Sequence, residues 1–247
     1  KKHLGGSKTR PVRKERCTLL IMRRFAKEID AELVDKIFPS FPEKRFVKLA
    51  ESVRSSIIAG IRTNTWLDKK SKAGAILKME RADLLLVKPR NNDEWNFNPV
   101  ANYSPKTPLT NIQTLNKNLD DKAIRELSKK RNKRRWSMGP LTINAYYSPS
   151  NNHFVMPVGI LQYPFFDPNV PTEVNLGAVG AVIGHELGHG IDDKGSRFDH
   201  EGKFNQWMSD DDLTKFKKRG SQLVEQFNEI GHNGTLTLGE NIGDLVG

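Results

Sequence analysis

The chain has 247 residues, 36% of them hydrophobic, a single cysteine and a formal net charge of +11. That length accommodates one large domain or two modest ones with a sizeable core. One cysteine, Cys17, excludes an intrachain disulfide framework, and no apolar run approaches the ~18–20 residues that a membrane-spanning helix needs. Read in chain order, Lys1-Lys2-His3-Leu4-Gly5-Gly6 has no apolar core behind its basic residues, so no signal peptide is visible. Residues 18–61 predict two helices: Leu19, Leu20, Met22, Phe25 and Ile29 recur at helical spacing, as do Ala50, Val53, Ile57 and Ile61, with Pro39 and Pro42 between them. Residues 66–86 predict a further helix, residues 88–108 a Pro- and Asn-rich loop, and residues 115–135 a polar helix. Two short strands are expected over 141–147 and 153–158, around Ser148-Pro149-Ser150-Asn151-Asn152. Helices are then expected over 177–191 and 210–227, and from 238 to the end.

The surplus charge is uneven. Lys129, Lys130, Arg131, Lys133, Arg134 and Arg135 form one run, and Lys8, Arg10, Arg13, Lys14 and Arg16 a looser one. Both read as solvated stretches, a helix end and a linker. Aromatic residues do not interleave with them and no RNA-binding signature accompanies them, so no nucleic-acid partner is expected.

The chemistry concentrates in His185-Glu186-Leu187-Gly188-His189. On a helix, histidines four residues apart share one face one turn apart, where two imidazoles can grip one ion. Glu186 follows the first ligand and can act as general base on a water. The stretch Ala178-Val179-Gly180-Ala181-Val182-Ile183-Gly184 is small and apolar, as a buried helix requires. A catalytic zinc site needs a third protein ligand and one open position. The best candidate is Glu240; Asp244, four residues on, faces the same way. One of these can bind the metal while the other orients a ligand histidine. Glu225 and Glu229 are rivals on a polar-faced helix.

Three blocks resemble the neprilysin-like (M13) zinc metallopeptidases. The first is Asn144-Ala145-Tyr146-Tyr147 with 154–162 and Phe165-Phe166; the second is 182–195; the third is Thr237-Leu238-Gly239-Glu240-Asn241-Ile242-Gly243-Asp244. Trp66-Leu67-Asp68, Lys72, Ala75 and Lys78 extend the match more weakly upstream. The resemblance implies a mainly α fold with a small mixed β-sheet, an α+β zincin or thermolysin-like core. It implies one zinc ion per chain held by His185, His189 and Glu240, with Glu186 as general base. Asp244 and Asp192 resemble carboxylates that orient the ligand histidines. Asn144 and Ala145 resemble edge-strand residues that bind a peptide substrate's backbone. Ile160, Phe165 and Val182 resemble the lining of a pocket for a large hydrophobic residue after the scissile bond; read from the residues alone, these three are ordinary core.

The resemblance also sets expectations for organisation. Residues 1–65 are expected to form a helical segment leading to a second helical domain, and residues 66–247 a catalytic domain truncated at its C-terminus. Family members continue past Gly247 to a histidine that stabilises the oxyanion and an arginine that binds substrate, so the chain reads as a fragment, with a catalytically inactive zinc-binding remnant as the alternative. Gly243 and Val246 stand where the family usually has Ala and Gly, and Ile191 stands for a common Phe. Peptides are the expected partners. The expected location is extracytoplasmic (periplasmic, secreted or membrane-anchored in the full-length protein), cytoplasmic bacterial members also existing, and the single Cys17 fits a bacterial type. Asn102-Tyr103-Ser104 and Asn233-Gly234-Thr235 match the glycosylation acceptor pattern.

Overall fold

The computed structural model describes residues 9–247. Lys1 to Gly6, read above for a signal peptide, and Lys8 of the looser basic run lie outside the described residues. The expected class is found: a predominantly helical chain with a small mixed sheet. It divides into two compact units, one of residues up to Pro39 with Trp95–Arg131, the other Ser40–Glu94 with Asn132–Gly247.

The first unit holds α1 (Arg13–Arg24), α2 (Ala26–Ile37) and α6 (Pro108–Glu126). A break at Phe25, where φ is −124°, gives two helices ahead of Pro39 instead of one. Neither Pro nor Gly marks the break; the Phe25 ring packs edge-on against Tyr103 at 5.6 Å. Asn98 donates from its backbone N–H to Glu28 Oε1 (2.7 Å) and from Nδ2 to the Arg24 carbonyl (2.7 Å). α6 starts earlier than its apolar spacing suggests because Pro108 sits in its first turn, where a missing N–H costs nothing. It ends at Glu126, so the basic run 129–135 lies past the helix.

The second unit holds α3 (Glu43–Thr63), α4 (Lys69–Glu80), β1 (Asp83–Val87), most of the short α5 (Asn92–Trp95), β2 (Tyr146–Ser148), β3 (His153–Pro157), α8 (Ala181–Gly188), α9 (Asp210–Glu229) and α10 (Gly234–Val246). Between the two stretches that form α3 and the sheet, α4 is capped by Asp68, whose side chain accepts from Ser71 N at 2.7 Å. The strand order is β1-β3-β2, with β1 parallel and β2 antiparallel to β3. Leu85 stands opposite Val155, and Tyr147 opposite Phe154. Every residue of β3 is buried, as a central strand covered on both faces demands. The expected helix over 66–86 therefore ends early. Leu84-Leu85-Leu86-Val87 is a continuous apolar run, which periodicity alone cannot assign to helix or strand. Leu85 and Val155 form a buried cluster with Trp136, and Tyr146 packs against it. Arg134 binds Glu94 Oε1 (2.9 Å) and Asp83 Oδ1 (2.7 Å), so one residue of the basic run pins the chain instead of standing free in solvent.

The helix expected over 177–191 is entered through a short α7 (Thr172–Asn175) and a π-helical turn, Leu176–Gly180, before α8. The final helix begins at Gly234, capped by Asn233, whose side chain accepts from Leu236 N at 3.0 Å.

Candidate metal centre

The site is built where α10 crosses α8. Small residues let the two backbones approach: a Cβ added at Gly188 would lie 3.1 Å from Gly243 Cα, and one at Gly243 would lie 2.9 Å from the His185 ring. That approach brings a side chain of α10 up to the two histidines of α8 and its C-terminal cap.

His185 Nε2 lies 3.3 Å from Glu240 Oε2, and His189 Nε2 lies 3.5 Å from the same oxygen. The two imidazoles stand edge to face, centroids 4.6 Å apart. Ligand atoms of His185, His189 and Glu240 all fall within 4.8 Å of one another. Each Nδ1 is held by a carboxylate on the far side: His185 by Asp244 Oδ1 at 2.7 Å and His189 by Asp192 Oδ2 at 2.8 Å. A carboxylate at Nδ1 fixes the tautomer that leaves the Nε2 lone pair free for a metal, and it raises ligand basicity. Two neutral nitrogens and one carboxylate oxygen match the donor set of a catalytic zinc site, so the residues present fit that ion.

Asp192 is itself tightly held. It is 4% exposed, and its Oδ1 accepts from the backbone N–H groups of Lys194 (2.8 Å) and Gly195 (2.6 Å), leaving Oδ2 for the histidine. The Asp192 hydrogen bond raises the His189 pKa, with burial acting in the opposite direction. Glu186 is buried between the two histidines in sequence; burial raises its carboxyl, and the nearby imidazoles pull it partly back.

The other sequence candidates fall around this group. Asn144 and Ala145 immediately precede β2, an edge strand of the sheet; the exposed Asn144 accepts through Oδ1 from the N–H of Ala145 at 2.8 Å. Val182 is half-buried on α8, one turn before His185. Ile160 is 7% exposed and Phe165 36% exposed, and the Phe165 carbonyl accepts from Val179 N at 3.0 Å. Glu225 and Glu229 are exposed on α9 and do not join the ligand group.

Sequence reasoning named Lys78, Tyr147 and Asn152 but gave them no part in a polar layer beneath the site. Lys78 is fully buried on α4, and its ammonium donates to the carbonyls of Gly195 (2.5 Å) and Phe198 (2.7 Å). Burial pushes its pKa down to about 8, against the pull of Asp192 and Asp199. Asn152, at a positive φ of 51°, donates to the carbonyls of Lys78 (3.1 Å) and His200 (3.0 Å) and accepts from the Tyr147 hydroxyl.

Two histidines one helical turn apart, an acid beside the first and a facing glutamate match the pattern expected of a metallopeptidase centre. Residues 144–247 match the model of peptidase family M13, and that stretch of the chain belongs to the family. It is 35% identical over 215 residues to neprilysin-3 of Drosophila melanogaster, covering 81% of this chain and 27% of that protein. It is 33% identical to endothelin-converting enzyme 1 of Rattus norvegicus over 85% of this chain and 30% of that protein. Among solved structures, the Mycobacterium tuberculosis zinc metalloprotease Zmp1 bound to an inhibitor superposes with a TM-score of 0.84 at 29% identity, over 99% of this chain and 38% of that one. PepO of Lactobacillus rhamnosis gives 0.82 at 25% identity, over 89% and 36%. The chain thus spans about a third of the length of these relatives.

Proposed function

We propose that the chain carries the catalytic centre of a zinc-dependent endopeptidase acting on peptides. The observation that carries this reading is the convergence of His185, His189 and Glu240, whose ligand atoms lie within 4.8 Å of one another, with both Nδ1 atoms held by carboxylates. In this reading His185, His189 and Glu240 hold one zinc ion, and Asp244 and Asp192 orient the two histidines. A bound zinc ion supplies Lewis-acid chemistry, making a water more acidic and a carbonyl more electrophilic. Glu186 takes the proton from the attacking water at its carboxylate and hands it to the leaving amine. Its burial favours that exchange by bringing the carboxyl's proton affinity closer to that of its partners.

The edge position of the chain from Asn144 into β2 supports binding of an extended peptide through main-chain hydrogen bonds. Ile160, Phe165 and Val182 would then receive a large hydrophobic residue after the scissile bond. An extracytoplasmic location is part of the proposal, supported by the name of a mouse relative, membrane metallo-endopeptidase-like 1. Among the described residues no helix is long and apolar enough to cross a membrane.

The test is hydrolysis of a set of quenched fluorescent peptides that differ only in the residue after the scissile bond. Cleavage should favour Phe and Leu over Asp and Gly, stop with chelator and return with zinc. Zinc binding without cleavage of any peptide would favour a non-catalytic zinc-binding chain, and cleavage that survives the chelator would refute the zinc reading.

A further inference from the structure

A buried ammonium is an expensive way to fill space, since methionine occupies a similar volume without a charge to desolvate. Lys78 nevertheless sits at 0% exposure on α4, and the two carbonyls that accept from its ammonium belong to the turn that follows α8. That turn also carries Asp192. The carbonyl of Gly195 receives the Lys78 ammonium at 2.5 Å, while the N–H of the same residue donates to Asp192 Oδ1 at 2.6 Å. Asp192 Oδ2 in turn meets His189 Nδ1 at 2.8 Å. The turn has little room to move, because a Cβ at Gly195 would lie 1.8 Å from the His189 carbonyl. A short polar path thus runs from α4 through one peptide unit and one carboxylate to a histidine.

We propose that Lys78 is a positioning residue of the metal centre: by fixing the Gly195 and Phe198 carbonyls it sets Asp192 against His189 Nδ1, and so sets the direction in which His189 Nε2 points. The inference rests on His189 being a metal ligand. Lys78 touches neither metal nor substrate. It stands one step behind Asp192, where its ammonium holds two carbonyls of the turn that carries that carboxylate.

The experiment measures zinc affinity of the folded chain by competition with a chromogenic chelator, and thermal melting by circular dichroism. The variants are Lys78→Met, Asp192→Asn, their double, His189→Ala, and Leu85→Val as a control that trims the core cluster. Outer partners of a ligand histidine are typically worth about 10–100-fold in metal affinity, so Lys78→Met should weaken zinc binding about tenfold. Leu85→Val should lower the melting temperature and leave affinity unchanged. The double variant should bind zinc about as weakly as Asp192→Asn alone, because both act through one contact. Affinity in Lys78→Met within about twofold of Leu85→Val, or a double variant that is fully additive, overturns the proposal. If Lys78→Met does not fold, Lys78→Gln carries the same comparison; failure of both to fold assigns Lys78 to the fold and also overturns it. Undiminished zinc affinity in His189→Ala removes the ligand reading and this inference with it. Loss of affinity there but not in Lys78→Met removes this inference alone.

Discussion

Replacing Tyr147 by Phe removes one oxygen and tests whether the layer beneath the site is held by hydrogen bonds. Tyr147 is 8% exposed and its hydroxyl donates to Asn152 Oδ1; Asn152 is 2% exposed. Both contacts of Asn152 Nδ2 go to carbonyls, those of Lys78 and His200. Flipping the amide to suit a Phe ring would therefore set its oxygen against two acceptors. The variant leaves a buried amide oxygen without its donor, which costs about 1–3 kcal/mol. The ring volume is kept, so no cavity adds to that figure. Burial raises the Tyr147 pKa, so the hydroxyl keeps its proton in the neutral range and the loss should not depend on pH there. Urea unfolding followed by circular dichroism should show a lower midpoint with an unchanged slope. A change below about 0.5 kcal/mol, the range of ordinary surface substitutions, would refute the buried hydrogen bond.

Lys78 predicts a pH dependence. Its pKa falls from 10.5 to about 8 on folding, so between these values the unfolded chain keeps a proton that the folded chain has released. Stability should rise with pH across that window, by up to about 3 kcal/mol at 1.36 kcal/mol per unit, and Lys78→Met should lose this rise in urea titrations of the chelator-treated chain; parallel curves for the two proteins would contradict the assignment. Gly195→Ala should lower both melting temperature and zinc affinity, because its Cβ would fall 1.8 Å from the His189 carbonyl; an unchanged protein by both measures would mean that the turn is free to move. Glu240→Ala should weaken zinc binding by more than the ~10–100-fold typical of an outer partner, and equal metal content after dialysis against chelator would exclude it as a ligand.

Much of the centre was legible because its residues lie close in sequence. His185 and His189 share a helix face by spacing alone, and Glu240 and Asp244 repeat that spacing on α10. Their division of labour was not legible from spacing. In the fold Glu240 faces both Nε2 atoms, while Asp244 meets a Nδ1. The fold class was also legible, but β1 was not: Leu84 to Val87 is an apolar run with no period to read, and its partner lies about seventy residues away in β3. The break at Phe25 follows from packing on Tyr103, a contact that no local turn signal announces. Lys78 entered only as part of the weaker upstream resemblance, with no role attached. Helical spacing says nothing of its burial, and only the turn folded over it supplies the two carbonyls that make burial possible.

In the proposed reaction Glu186 moves the proton at a centre held by other residues. The direct measurement pairs zinc content with peptide hydrolysis in Glu186→Gln. That variant should retain zinc at the level of the unaltered chain and lose hydrolysis by about 10²–10⁴-fold, the usual contribution of a general base. Hydrolysis at the original rate with zinc still bound would contradict the account.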